Sequence, residues 1–115
     1  MKIVAVDQFE FENPATEEFV EIAVARKSSF PIPSVSSFVG ARLGVEASLQ
    51  LPDSVPFDQC SGSQVARQHL LNFAQFSLPQ SCSWPTHTFS LGPDEWHLVV
   101  CAPEQFVHYR WRTSA

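Results

Sequence analysis

The stretch DEWHLVVCAPEQFVHYRWRT, residues 94–113, decides the fold. Side chains on a strand alternate between the two faces of a sheet. Before the Ala102-Pro103-Glu104-Gln105 break, Trp96, Leu98 and Val100 share a face; after it, Val107, Tyr109 and Trp111 do the same. A hairpin turning across Pro103-Glu104 sets Val100 against Val107, Leu98 against Tyr109 and Trp96 against Trp111. All three pairs are apolar, and each such pair contributes about 0.2–1 kcal/mol beyond its burial. A slip of one residue would set each against a polar neighbour, so the register is specified along with the hairpin.

The opposite face carries Glu95, His97, Val99 and Cys101 against Arg112, Arg110, His108 and Phe106. It is apolar at the turn and ionic at the open end, where Glu95 is expected to pair with Arg112. Two histidines and two arginines on one patch are the first pointer to function. Phe106, Arg110 and Arg112 are the residues expected to contact a bound partner. The arginines can clamp a carboxylate or phosphate, and cross-strand pairing to acids accounts for them equally well.

A chain of 115 residues is expected to form one compact domain spanning 1–115. Ten Phe and three Trp supply large side chains for a single core. No apolar run is long enough to span a membrane. The apolar start, Met1 to Val6, meets Asp7 too soon for a signal-peptide core, so a cytoplasmic protein is expected. The formal charge of −5, with only seven Lys and Arg, argues against nucleic-acid binding, which needs many phosphate-neutralising cations. Cys60, Cys82 and Cys101 make an odd set without a Cys-x-x-Cys pair, which points to reduced thiols rather than disulfides or structural zinc.

Residues 2–12 alternate as a strand, broken by Asn13-Pro14. Thr16 to Lys27 carries both patterns. Asn13 as cap, Pro14, early Glu17 and Glu18 and late Arg26-Lys27 spell a helix, whereas alternating Val20, Ile22 and Val24 spell a strand. Helix is favoured there. Ser28 to Ser37 reads as a Pro/Ser connector with Phe30 or Ile32 turned inward, Phe38 to Leu51 as a strand best formed in VEASLQL, and Leu51 to Asp58 as loop. Ser61 to Phe76 is the clearest helix, with Ser61 and Gln64 as a capping box and Ala66, Leu70, Phe73 and Ala74 as its apolar stripe. A short strand over His87 to Leu91 leads into the hairpin. The expected class is α+β: an antiparallel sheet with a C-terminal hairpin packed against one main helix, with a second, shorter helix at 16–27.

Cys60 stands just before the main helix, where unpaired amides and the helix dipole favour a thiolate. A nucleophilic cysteine needs a base, and His97 and His108 fall on the two hairpin strands as diagonal neighbours on one face. An inert buried thiol is the competing reading. The order Asp58-Gln59-Cys60-Ser61-Gly62, Ser77-Leu78-Pro79, His97-Leu98-Val99-Val100 and Phe106-Val107-His108 resembles the bacterial cell-wall endopeptidases of the papain-like class. That resemblance implies Cys60 as nucleophile, His97 as base and His108 as the third, polar member. His69 reads as a boundary histidine on the helix, and His87 as solvent-facing. His97 and His108 have no third metal ligand at recognised spacing, and no phosphate-binding or dinucleotide motif is present.

Two functional readings follow. One is a small binding or interaction protein without a cofactor, whose partner is another protein or a second copy of itself, with a small apolar ligand as the other candidate. The alternative is a cysteine hydrolase or amidase built on Cys60, His97 and His108.

Overall fold

Alternation along the strands divides their side chains between two faces, and each face is closed by a different helical layer. The structure, a computed structural model, describes residues 1–9, 17–31 and 33–113. It is α+β. One antiparallel sheet contains β1 (Lys2–Phe9), β2 (Glu17–Arg26), β3 (Val55–Pro56), β4 (Pro85–Gly92), β5 (Glu95–Cys101) and β6 (Gln105–Thr113). Their spatial order is β1-β2-β6-β5-β4-β3. The helices are α1 (Val35–Leu43), α2 (Val45–Leu49) and α3 (Ser63–Ala74).

The β5–β6 hairpin has the register expected from its apolar pairs: Trp96 faces Trp111, Leu98 faces Tyr109 and Val100 faces Val107. On the other side of β6, β2 extends the same rows, with Val20 opposite Trp111, Ile22 opposite Tyr109 and Val24 opposite Val107. These rows form the face on which α3 lies. Ala66, Leu70 and Ala74 of α3 join Phe57, Cys60, Leu78 and Cys82 in one apolar core against Ile22, Leu98, Val100, Val107 and Tyr109.

Residues 17–26 form a strand, not the helix favoured from their charges. Val20, Ile22 and Val24 complete the apolar rows only when extended, and that burial outweighs the weak helix-end signals of the acids and bases. Residues 10–16 and Ile32 lie outside the described residues, so the later end of the first expected strand and the inward turn of Ile32 do too.

The strand expected over 38–51 is instead two short helices, α1 and α2, joined at Gly44 and ending at Leu49. Ser34 caps α1 by accepting from the Ser37 amide at 3.2 Å. Phe38, Val39, Leu43 and Ala47 then lie together over Ala25, Val99 and Phe106, while Phe30 packs alongside. This layer covers the apolar part of the second face.

The start of α3 also differs. Ser61 is exposed and does not cap; the N-cap is Gly62 at φ 77°, a left-handed turn that glycine adopts without strain. A Cβ there would sit 3.0 Å from the Trp96 ring, so any larger residue would be strained by the turn and would press on the tryptophan. At the other end, Lys2 Nζ of β1 donates to the Ala74 carbonyl at 2.9 Å, placing a cation at the negative end of the helix. The segment 51–58 is not all loop, since Val55–Pro56 pairs with β4 and a single 3-10 turn follows at Phe57–Gln59.

Candidate functional site

The face covered by α1 holds a continuous polar network inside an otherwise apolar layer. His97 of β5 and His108 of β6 are both fully buried. They are diagonal neighbours, since His97 pairs with Arg110 and His108 with Val99 across the hairpin. His97 Nδ1 lies 2.8 Å from His108 Nε2, with the rings 4° from parallel and their centroids 5.1 Å apart. Nitrogens can come that close at that centroid separation only if they point straight at each other within a shared plane. The contact is an in-plane hydrogen bond, not a face-to-face stack.

The direction of each bond follows from chemistry. Arg42 Nε, reaching down from α1, can only donate, so His108 Nδ1 accepts from it at 3.3 Å. The proton of His108 is then on Nε2 and is donated to His97 Nδ1. That leaves the His97 proton on Nε2, donated to Glu95 Oε1 at 2.5 Å. Both imidazoles are neutral in this arrangement, and all four ring nitrogens are satisfied. The outer end of Arg42 pairs with Glu21 of β2. Arg110 Nε lies 2.7 Å from Glu95 Oε1, close enough for an ion pair, yet its N–H finds no aligned acceptor.

Electrostatics agree with neutral rings. Burial above all, with the guanidinium charges of Arg42 and Arg110 adding to it, pulls the His108 pKa down to about 3. Burial also lowers the pKa of His97, against the opposing pull of Glu95. Burial alone would raise the carboxyl of Glu95, but the hydrogen bond from His97 and the charge of Arg110 outweigh it and the net shift is downward.

Of the three residues in the cysteine-hydrolase constellation, the structure brings His97 and His108 together and leaves Cys60 on the opposite face. Cys60 sits in the α3 core, where its thiol donates to the Pro56 carbonyl at 3.6 Å. Burial raises its pKa, followed by the nearby Cys82. The main helix does not activate it, because Cys60 closes the 3-10 turn and Gly62 takes the cap position. Asp58 is occupied as well: its carboxylate accepts from the Cys82 amide at 2.6 Å and pairs with Arg67, and these contacts lower its pKa.

Phe106, expected to contact a partner, is 2% exposed and stacked on Phe38 under α1, within the core of this face. Arg110 and Arg112 do reach the surface, lining a groove of about 130 Å³ with Asp7, Phe19 and Glu21. The expected Glu95–Arg112 ion pair is not what forms. The two residues face each other across the hairpin, but the Glu95 carboxylate turns to His97 and Arg110 while Arg112 lies over the Phe19 ring at 4.8 Å. His69 is hydrogen-bonded to the Tyr109 hydroxyl at 2.7 Å, and His87 Nδ1 to the Pro52 carbonyl at 2.5 Å. A recess of about 670 Å³ between Arg26–Ser28 and Pro103–Gln105 is lined by neither histidine nor cysteine.

Sequence reasoning missed Glu21 and Arg42. The signal for Glu21 lay in the strand pattern of β2, which places Glu21, Ala23 and Ala25 together opposite the apolar side. Nothing in the sequence marks Arg42. No protein-family model matches this chain, and no curated protein or solved structure matches it.

Proposed function

We propose that this chain is a small interaction protein that acts through the open edge of β1, by pairing it with the same strand of a second copy. The asymmetry of the two sheet edges carries this reading. At one edge, β3 is two residues long and contains Pro56, a short edge of the kind that resists further pairing. At the other, β1 offers eight residues with unbroken register to β2, no proline and no bulge. Its lysine is not left at the edge as a guard, since Lys2 turns under the sheet to α3. Ile3 is 54% exposed on that edge.

The strand also suits itself. A two-fold axis normal to the sheet pairs residues of the same face, as antiparallel strands require. With the axis at Val4, Ile3 meets Ala5 and Val4 meets Val4, so the apolar run Ile3–Ala5 lies on its own copy, with Val6 opposite Lys2 at each end. The apolar composition of that run supports a homodimer over pairing with a charged foreign strand.

Light scattering on the full chain is expected to give a dimer mass at micromolar to millimolar concentration. Ile3→Lys, which puts a charge on the exposed edge without touching either core, should shift it to monomer. A wild-type monomer throughout that range defeats the proposal, as does a dimer that Ile3→Lys leaves intact.

A further inference from the structure

The buried network has a property that goes beyond self-association. Its two imidazoles come from adjacent strands, but the group that closes it, Arg42, comes from the helical layer lying on top. We infer that the network is an acid-operated latch: protonation of the His97–His108 pair breaks the Arg42 link and lets the α1–α2 layer lift from the sheet.

The geometry makes a proton hard to add while the layer is closed. Each neutral imidazole has one lone pair, and both are in use. His108 Nδ1 accepts from Arg42, and His97 Nδ1 accepts from His108. A proton on His108 Nδ1 would set N–H against N–H and place a second cation against the guanidinium. A proton on His97 Nδ1 would meet the N–H of His108. Either addition must break one of these two links, and the Arg42 contact is the longer, at 3.3 Å against 2.8 Å. The Arg42–Glu21 pair, whose acid is on β2, is then the remaining ionic tie that opening must also part.

The charged and titratable groups facing the pair come from each element packed on it. They are Glu95 on β5, Arg110 on β6, Glu21 on β2 and Arg42 on α1. His87 of β4 shares the face, opposite Val99, but is bonded to Pro52, and Phe89 of β4 lies parallel to the His97 ring with centroids 5.0 Å apart. Among the described residues, Glu95 is the acid bonded directly to an imidazole of the pair, so it favours a proton on His97 while Arg42 and Arg110 oppose one on His108.

Lifting the layer wets His108 and returns it toward its ordinary pKa near 6.5, while in the closed form it lies at about 3. The open form therefore gains protons as pH falls. At pH 5 the His108 contribution alone favours opening by roughly 30-fold over neutral pH. The surface bared is Ala25, Val99 and Phe106, the apolar part of this face.

Amide hydrogen exchange on the full chain tests the latch, with protection corrected for the intrinsic rate at each pH. Between pH 7.5 and 5, protection of α1 amides at Phe38 to Leu43 should fall by roughly 30-fold more than that of α3 amides around Leu70. Protection of α1 that does not change, or that falls in step with α3, overturns the proposal. His108→Gln can accept from Arg42 and donate to His97 but cannot titrate, so it should abolish the α1-specific loss; a loss that persists in this variant overturns the latch. Should that variant fail to fold, nitrogen-15 spectra of the wild-type imidazoles decide. His108 must gain its proton over the pH range in which α1 opens, and a ring that stays neutral while α1 opens excludes it as the trigger.

Discussion

On the face that carries α3, the sheet meets apolar side chains, and the principal polar contact is the bond from Tyr109 to His69 at the rim. On the face that carries α1 and α2, a comparable apolar cluster covers only the end near Phe106, and the middle is filled by five hydrogen-bonded or ion-paired side chains from four elements. Both faces are closed, but by forces that respond differently to their surroundings. Hydrophobic burial is indifferent to a proton. A buried network of neutral histidines is stable only while no proton enters, and leaving any member unpaired is costly. The comparison separates a face that holds the fold together from one whose closure depends on conditions.

Truncating the core on each side is the largest blow to that contrast. Phe57 lies under α3 and Phe38 under α1, and both are fully buried. Replacing either with Ala should cost about 3–5 kcal/mol. The two should differ in kind. Phe57→Ala should lower the midpoint of global denaturation, while Phe38→Ala should first remove exchange protection from α1 and leave that of α3 standing. If Phe38→Ala lowers protection equally in both helices, the layers are not independent and the comparison fails. Phe73, named from sequence as a core residue, is only partly buried, so its truncation should cost less than that of Phe57.

Acid is the next test. The His108 pKa is depressed in the folded chain, to about 3 against about 6.5 when unfolded. Below 6.5 the unfolded chain binds more protons, so the stability from neutral His108 is fully present above that pH and is lost progressively as pH falls toward 3. The loss should be on the order of a few kcal/mol, read from urea midpoints at pH 7 and pH 4. His69, on the other face, is also lowered by burial, so its contribution has the same sign. The contrast predicts that His108→Gln flattens the pH dependence more than His69→Gln does. The reverse order would place the acid-sensitive site on the wrong face.

How much of this was legible in the sequence depends on how local the signal is. The β5–β6 hairpin could be read with its register because period-two alternation and one proline-containing turn lie within twenty residues. The diagonal placement of His97 and His108 followed from that register alone. At β2 two local signals conflicted, and the one resting on charge at the ends lost to burial between β1 and β6. At α1 the helix is short and holds Gly40, with Gly44 at φ 100° at its end, so propensity pointed away from helix while packing of Phe38 and Val39 imposed it. The network itself was beyond local reading. Arg42 meets His108 across 66 residues and Glu21 across 21, and only the assembled sheet brings the three together.

The smallest expected effect concerns the thiols, and it tests whether the α3 face carries any chemistry. Cys60, Cys82 and Cys101 are all free, and burial raises the pKa of each, most simply for Cys60 in its apolar pocket. Thiolate is the reactive form, so near pH 6.5 all three should react slowly with iodoacetamide. Cys101 differs in being only partly buried, with Lys27 opposing its shift, so what little labelling occurs should fall there first. Replacing His97 with Gln should leave the Cys60 rate unchanged, because imidazole and thiol occupy opposite faces of the sheet. Fast labelling of Cys60 at pH 6.5 that is slowed by His97→Gln would require the two to meet in solution. It would reverse the comparison, making the α3 face the reactive one, and bring the cysteine-hydrolase arrangement back into consideration. Uniformly slow labelling, insensitive to His97, leaves the α3 face as the inert half of the molecule.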